Sequence, residues 1–262
     1  MAEVGSPSRR DFLRIAGAGA AGVATLAARL SAEGNGFAIR LGYAAITWQG
    51  RDDQAIDEIA ELGFHGIQLR SGVAERYGDK PAELRRRLEG KGLALLCFSS
   101  GTVDALPERE HEHLEVHVRN ARFVAALGGQ TLQLISRRPP GRAPSAAEFE
   151  RLGRLMNEIG RRSAELGVRT VYHNHMDGFG EAPGEVTQVL EATDPKRVGL
   201  LLDIAHYAQG GGDPVSAVER HKARLAVVHL KDLIGPLPAG TPSHHRGYEF
   251  VELGRGLSLI HI

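Results

Sequence analysis

The sequence contains a single cysteine and a single tryptophan, and it has no excess of charge of either sign. One cysteine excludes an internal disulfide, and the position of Cys97 in the apolar run 93–98 predicts that it packs as a small hydrophobic residue. Lysine plus arginine equals aspartate plus glutamate, with 32 of each. No strong overall field therefore attracts a polyanion, and we expect no nucleic acid partner.

A long hydrophobic run is also missing, so we expect no stable membrane anchor. The stretch 15–30 is short, rich in alanine and glycine, and only weakly apolar. It follows Arg9-Arg10 and Phe12-Leu13, and this order resembles a bacterial twin-arginine export signal. We expect residues 1–36 to be a signal peptide and linker, and the protein to be periplasmic or extracellular.

From Leu41 onwards, short apolar runs alternate with helical patterns. This rhythm is typical of right-handed βαβ units and a parallel sheet. No glycine-rich phosphate loop follows the first strand, which argues against a doubly wound nucleotide-binding sheet. We predict one α/β domain, a (β/α)8 TIM barrel over residues 37–256. Strands are expected to begin near residues 41, 66, 93, 131, 170, 198 and 225, with helices at 54–62, 81–88, 111–127, 146–166, 183–190 and 214–221.

The predicted barrel lacks its eighth strand, because the sequence runs from Gly256 directly into Leu257-Ser258-Leu259-Ile260-His261-Ile262. That hexapeptide is what a common transposase sequencing adapter encodes in frame. A barrel without one of eight units would leave an open edge and an exposed core. We expect residues 257–262 to be adapter sequence and the natural chain to continue past Gly256; a true terminal strand is the alternative.

Polar residues follow three of the predicted strands at the point where each strand ends. They lie at 172–175, 203–206 and 229–232, and they include four histidines and an aspartate that could bind metal. The carboxyl ends of barrel strands converge on one face, where such enzymes keep their active sites. Mixed imidazole and carboxylate ligands suit Mn²⁺, Co²⁺, Mg²⁺ or Zn²⁺. Although a single histidine at a strand end is usually structural, this set predicts a functional site.

With these motifs, residues 41–256 resemble the xylose isomerase-like TIM-barrel superfamily, which includes sugar epimerases, hydroxypyruvate isomerase, inosose dehydratase and endonuclease IV. The resemblance rests on the segments 172–176, 199–206 and 228–232. It implies that Asp203 and His229 bind a divalent metal and that His206 contacts the substrate.

Two positions depart from the pattern of the sugar epimerases. Those enzymes carry a glutamate on the fifth strand as ligand and base, whereas this chain has His173 and His175 there, a feature closer to the inosose dehydratase branch. The glutamate expected on the eighth strand has no counterpart, and Glu181 is a candidate substitute. We expect His175 to be the third metal ligand and His173 or Glu181 to be the base.

The remaining candidates bind substrate. His206 and Lys231 are expected to contact substrate oxygens and to assist catalysis. Trp48, at the end of the first strand, would either stack on a sugar face or cap the barrel.

The reaction that this resemblance implies is proton removal beside the carbonyl of a sugar or keto-sugar, through an enediolate that the metal stabilises. Return of the proton gives isomerisation or epimerisation, which we expect first. Loss of a β-hydroxyl gives an inosose dehydratase-like lyase instead, and a non-catalytic carbohydrate-binding barrel is a third possibility. Neutral net charge and the export signal oppose an abasic-site endonuclease. Such barrels often pair, so a homo-oligomer is a further expectation.

Overall fold

The computed structural model of the protein describes residues 39–239, 241, 243 and 246–258. The predicted export signal lies outside the described residues, as do residues 259–262 of the predicted adapter peptide. Across the part of the chain that is described, no helix is both long and apolar enough to cross a membrane.

Seven parallel strands form one sheet, and their spatial order follows their order in the sequence. This confirms the predicted α/β, TIM-barrel-like fold, because each predicted strand forms and pairs in parallel with the next. The register shifts once in each of the pairs β2–β3, β3–β4 and β6–β7. Two short strands make a separate antiparallel pair. The sheet strands are β1 (Tyr43–Ala44), β2 (Gly66–Arg70), β3 (Ala94–Val103), β4 (Thr131–Ser136), β5 (Arg169–His173), β6 (Val198–Asp203) and β7 (Leu225–His229); the antiparallel pair is β8 (Asp232–Ile234) and β9 (Glu249–Val251).

Helices connect the strands, and each predicted helix is present with its ends moved by a few residues. Two short helices were not predicted, because neither is long enough to show a helical repeat of apolar residues. One of them starts immediately after β6. The α-helices are α1 (Asp52–Glu61), α2 (Val73–Tyr77), α3 (Pro81–Gly90), α4 (Glu110–Ala126), α5 (Ala146–Ala164), α6 (Pro183–Glu191), α7 (Ile204–Gln209) and α8 (Pro214–His221).

The inside of the sheet has an apolar layer with a polar layer above it. Cys97, Val171 and Leu201 are buried together and contact Val227, each from a different strand. This confirms that Cys97 packs as a small hydrophobic residue, and burial raises the pKa of its thiol to about 12. Side chains alternate along a strand, so the next inward positions of β5, β6 and β7 bring polar groups together at the carboxyl ends of the strands.

Both edges of the sheet are open among the described residues, since no strand pairs with the outer side of β1 or of β7. Apolar side chains are exposed at the β7 edge. Val228, Leu230 and Phe250 near this edge are 37%, 44% and 38% exposed. The loop after β9 turns back under Asp232, whose carboxylate accepts hydrogen bonds from the backbone N–H groups of Gly256 and Ser258. Asp232 thus anchors the end of the described chain to β8.

A buried histidine joins α4 to β3. His117 is 1% exposed, and its Nδ1 lies 2.6 Å from the hydroxyl oxygen of Ser100, which receives a further hydrogen bond from Asn120. Burial, together with the neighbouring His113, lowers the pKa of His117 to about 4. The imidazole is therefore neutral in the folded protein at pH values where it would be protonated in the unfolded chain.

We expect the free energy of unfolding to fall as the pH is lowered from about 6.5 to 4, because only the unfolded chain binds a proton at His117 in this window. His117 accounts for up to about 3 kcal/mol of that loss. His117→Asn should be less stable at neutral pH but should lose less stability on acidification, as measured by urea unfolding at both pH values. The exposed His111→Asn on the same helix is the control. Parallel pH profiles for the wild type and His117→Asn would contradict this role.

Candidate active site at the carboxyl ends of the strands

Asp203 ends β6 and is fully buried. The side chain of Asn174 holds its backbone, since Nδ2 donates to the Asp203 carbonyl (3.1 Å) and Oδ1 accepts from the Asp203 N–H (2.8 Å). Oδ1 of Asp203 caps α7 by accepting a hydrogen bond from the His206 N–H (3.1 Å). These contacts fix the carboxylate and leave Oδ2 facing the side chains of neighbouring strands.

Four basic side chains converge on Oδ2 of Asp203. Lys231 Nζ lies 2.8 Å away and His173 Nε2 3.1 Å away. His229 Nδ1 is at 3.6 Å and His206 Nε2 at 3.9 Å, beyond ordinary hydrogen bonds. Burial acts to raise the pKa of Asp203, but the Lys231 ammonium and the histidine contacts more than offset it and hold that pKa well below its usual range. Asp203 is therefore a carboxylate at neutral pH.

The buried histidines of this cluster are neutral. Burial lowers the pKa of His173 well below its usual range and the pKa of His206 to about 3. Neutral imidazole is the form that binds a metal ion. His175 lies beside them, with its ring centroid 3.9 Å from that of His206. Its Nδ1 donates to the Met176 carbonyl (2.7 Å), which leaves the lone pair on Nε2.

These donors fit a divalent metal. One ligand atom from each of His173, Asp203 and His206 can be chosen so that all three lie within 4.8 Å of one another. The ring nitrogens of His206 and Nδ1 of His229 are buried and make no hydrogen bond of ordinary geometry. Buried polar atoms are rarely left without a partner, and coordination to an ion would satisfy them. The chemistry of the set is the carboxylate and imidazole mixture that Zn²⁺ and related ions accept.

An aromatic side chain covers part of this cluster. The ring of Phe250, on β9, lies edge-on to His206 at 5.7 Å between centroids. The ammonium of Lys231 is 5.3 Å from the centroid of the same ring. Lys231 is therefore placed between the carboxylate of Asp203 and an apolar face, with its side chain 31% exposed.

Two predicted site residues lie elsewhere. Trp48 is 1% exposed; its ring packs edge-on against Tyr43 and its Nε1–H donates to Glu58. No ring face is open to a sugar, so of the two roles expected for Trp48 the stacking one is wrong, and Trp48 belongs to the core.

Glu181 is held by two arginines, Arg138 and Arg246, each at 2.9 Å. Burial acts to raise its pKa, but the N–H of Asp177 and the guanidinium of Arg138 together lower it. A carboxylate paired in this way is a poor proton acceptor, so the structure gives Glu181 a role in loop structure rather than that of a base. Arg138 is also paired with Glu185 (2.8 Å).

Three side chains that shape the site were given no role from the sequence: Asn174, Gln68 and Gln133. Gln133 is 3% exposed, and its Nε2 lies 2.8 Å from Nδ1 of His173. The available signal was a glutamine between two apolar residues of a predicted strand, Ile67 and Leu69 for Gln68, and Leu132 and Leu134 for Gln133. A lone amide at such a position must find a polar partner inside the barrel.

Comparison with known proteins agrees with this architecture. The family model described as a xylose isomerase-like TIM barrel matches residues 56–261. Inosose dehydratase of Mesomycoplasma hyopneumoniae is 29% identical over 220 residues, which cover 74% of this chain and 70% of that protein.

Two solved structures share the fold. The probable 3-DHS dehydratase AsbF of Bacillus anthracis has a TM-score of 0.71 at 16% identity, covering 84% of this chain and 85% of that one. The IolI protein with a bound zinc atom has a TM-score of 0.70 at 14% identity, covering 84% and 81%.

We expect Asp203→Asn to lower zinc affinity by at least about 100-fold, since it removes the only carboxylate of the cluster among the described residues. Isothermal titration calorimetry measures this effect directly. Asp213→Asn is a matched control, because Asp213 also caps a helix, α8, but is exposed, and asparagine preserves a cap at both positions. Equal zinc affinity of the two variants would mean that Asp203 is not a ligand.

Proposed function

Because this chain belongs to the xylose isomerase-like TIM barrel family, we propose that it is a metal-assisted lyase that removes water from a cyclic polyol ketone or keto-sugar. The name of the relative from Mesomycoplasma hyopneumoniae supports an inosose, the ketone of an inositol, as the substrate class. The single observation that carries the proposal is the buried carboxylate of Asp203 surrounded by neutral imidazoles and one ammonium group. This set combines a metal site, a base and an acid.

The first step needs a base beside the substrate carbonyl. A divalent ion at Asp203 would supply Lewis-acid stabilisation of the negative charge that develops on the carbonyl oxygen. The ring nitrogens of His206 make no hydrogen bond of ordinary geometry, so its neutral imidazole can take the proton from the adjacent carbon. The carboxylate of Asp203, 3.9 Å away, would stabilise the imidazolium that forms. The electron pair of the broken C–H bond then forms the double bond of the enediolate.

The second step needs an acid for the departing hydroxyl group. Lys231 is positively charged beside Asp203 and partly exposed, so it can hold the β-hydroxyl and give it a proton. The C–O bond breaks, the electron pair leaves with the oxygen, and water is the second product. His206 then releases to solvent the proton that it took, and Lys231 regains a proton from solvent. Both residues return to their starting charges.

Isomerisation or epimerisation is the second candidate, and the same geometry serves its first half. The observation in its favour is the pairing of Lys231 with Asp203, because an ammonium held by a carboxylate at 2.8 Å is less available as an acid. Without that acid the proton would return to a carbon atom and no water would be lost.

Mass spectrometry of an inosose incubated in D2O with the zinc-loaded protein separates the candidates. A lyase gives a product lighter by one water, and a chelator abolishes its formation. An isomerase or epimerase instead incorporates deuterium without loss of water, and a pure binding protein does neither while still binding the inosose in calorimetry. Either of these last two outcomes would contradict the lyase.

We expect His206→Asn to lower the rate of water loss by about 10² to 10⁴-fold, as for the removal of a general base. The exposed His111→Asn should retain the wild-type rate. Comparable rates of water loss in both variants would show that His206 is not the base.

A further inference from the structure

Two glutamines connect His229 to His173 across the inside of the barrel. Nε2 of His229 lies 2.7 Å from Oε1 of Gln68, and Nε2 of Gln68 donates to Oε1 of Gln133 at 2.8 Å. Nε2 of Gln133 is 2.8 Å from Nδ1 of His173. Because both histidines also face Oδ2 of Asp203, the five side chains form a closed ring.

The hydrogen bonds between the glutamines and the histidines all run in one direction, because a primary amide donates only from its nitrogen and accepts only at its oxygen. Gln133 donates to Nδ1 of His173, so this nitrogen carries no proton and His173 presents Nε2–H to Asp203 at 3.1 Å. At the other end, Oε1 of Gln68 accepts from Nε2–H of His229. The lone pair of His229 is therefore on Nδ1, 3.6 Å from the same carboxylate oxygen.

Only one other arrangement satisfies every bond between the glutamines and the histidines. If both amides turn over together, His173 becomes the Nδ1–H form and offers its Nε2 lone pair, while His229 presents Nδ1–H. Turning a single amide places two donors or two acceptors face to face, and a buried polar group that loses its hydrogen bond in this way destabilises the folded protein. The neutral forms of the two histidines are thus coupled through the glutamines, although their rings are joined by no direct hydrogen bond.

We propose that Gln68 and Gln133 are positioning residues that make His229 and His173 non-equivalent, so that one offers a lone pair beside Asp203 while the other presents an N–H. In the arrangement of this structure His229 offers the lone pair and His173 presents the N–H. His173, which lies close enough to Asp203 and His206 to share a metal ion with them, would bind that ion through Nε2 only in the reversed arrangement. The catalytic meaning of this assignment rests on the proposed function, whereas the coupling itself does not. Nε2 of Gln133, on β4, also donates to the hydroxyl oxygen of Ser99, on β3, at 3.3 Å. This second hydrogen bond fixes the Gln133 side chain.

Gln68→Glu tests the coupling at a distance. A carboxylate at position 68 accepts from both of its neighbours, so Gln133 must turn its Nε2 towards it and its Oε1 towards His173. His173 should then change from the Nε2–H to the Nδ1–H form, although it does not contact residue 68, while His229 keeps Nε2–H. Nitrogen NMR of metal-free protein labelled with 15N-histidine distinguishes the two forms, at about pH 8, above the ordinary histidine pKa of about 6.5.

The exposed Gln188→Glu on α6 is the matched control and should leave the His173 spectrum unchanged. Gln133→Glu predicts the same inversion at His173, with His229 unchanged, and keeps the test available if the first variant does not fold by circular dichroism. An unchanged His173 form in a folded variant of either kind overturns the proposal. The spectra need neither metal nor substrate. Absence of turnover in the wild type would therefore contradict the proposed function but would not affect the coupling between the two histidines.

Zinc binding gives a second readout. In Gln68→Glu both His173 and His229 would direct lone pairs at Asp203, so calorimetry should show zinc binding tighter by about 10-fold or more than in Gln188→Glu. An inverted His173 with unchanged zinc affinity would overturn the assignment of ligand and donor roles.

Discussion

The buried negative charge of Asp203 is the constraint on which the carboxyl end of the sheet depends. An ionised carboxylate removed from water loses several kcal/mol of solvation unless neighbours replace it. Lys231 supplies the opposite charge, His173 a hydrogen bond, and the N–H of His206 a third contact. These groups come from three separate segments of the chain, so the folding of β5, β6 and β7 into one sheet is what makes the charge tolerable.

Neutral histidines follow from the same constraint. Desolvation and the nearby ammonium both lower the pKa of His173 and of His206, so these two imidazoles stay unprotonated. A neutral imidazole has one donor and one acceptor nitrogen, and the hydrogen bond from Gln133 decides which is which at His173. The polar side chains inside the barrel therefore have few alternative arrangements, whereas the apolar layer beneath them has no hydrogen-bond directions to satisfy.

Much of this could be predicted from the sequence because strand order and strand ends leave local signals. The polar residues at the ends of β5, β6 and β7 pointed to His173, Asp203 and His229, which the structure brings together. The surroundings of Trp48 and Glu181 were not predictable, since Glu181 pairs with arginines 43 and 65 residues away along the chain. The pairing register of neighbouring strands cannot be predicted from the period of apolar residues either. The register shift between Ile67 and Gln68 places Gln68 opposite Cys97.

The single thiol of the protein has a practical consequence. Cys97 is sealed inside the sheet beneath the polar layer, and its raised pKa leaves almost no thiolate at neutral pH. An alkylating reagent can reach it only when strands separate, so its labelling rate measures how often the interior opens. Alkylation of Cys97 therefore measures opening of the sheet without an engineered probe. A ligand that binds near Asp203 only when the strands are packed together would slow the alkylation, because it stabilises that packed state.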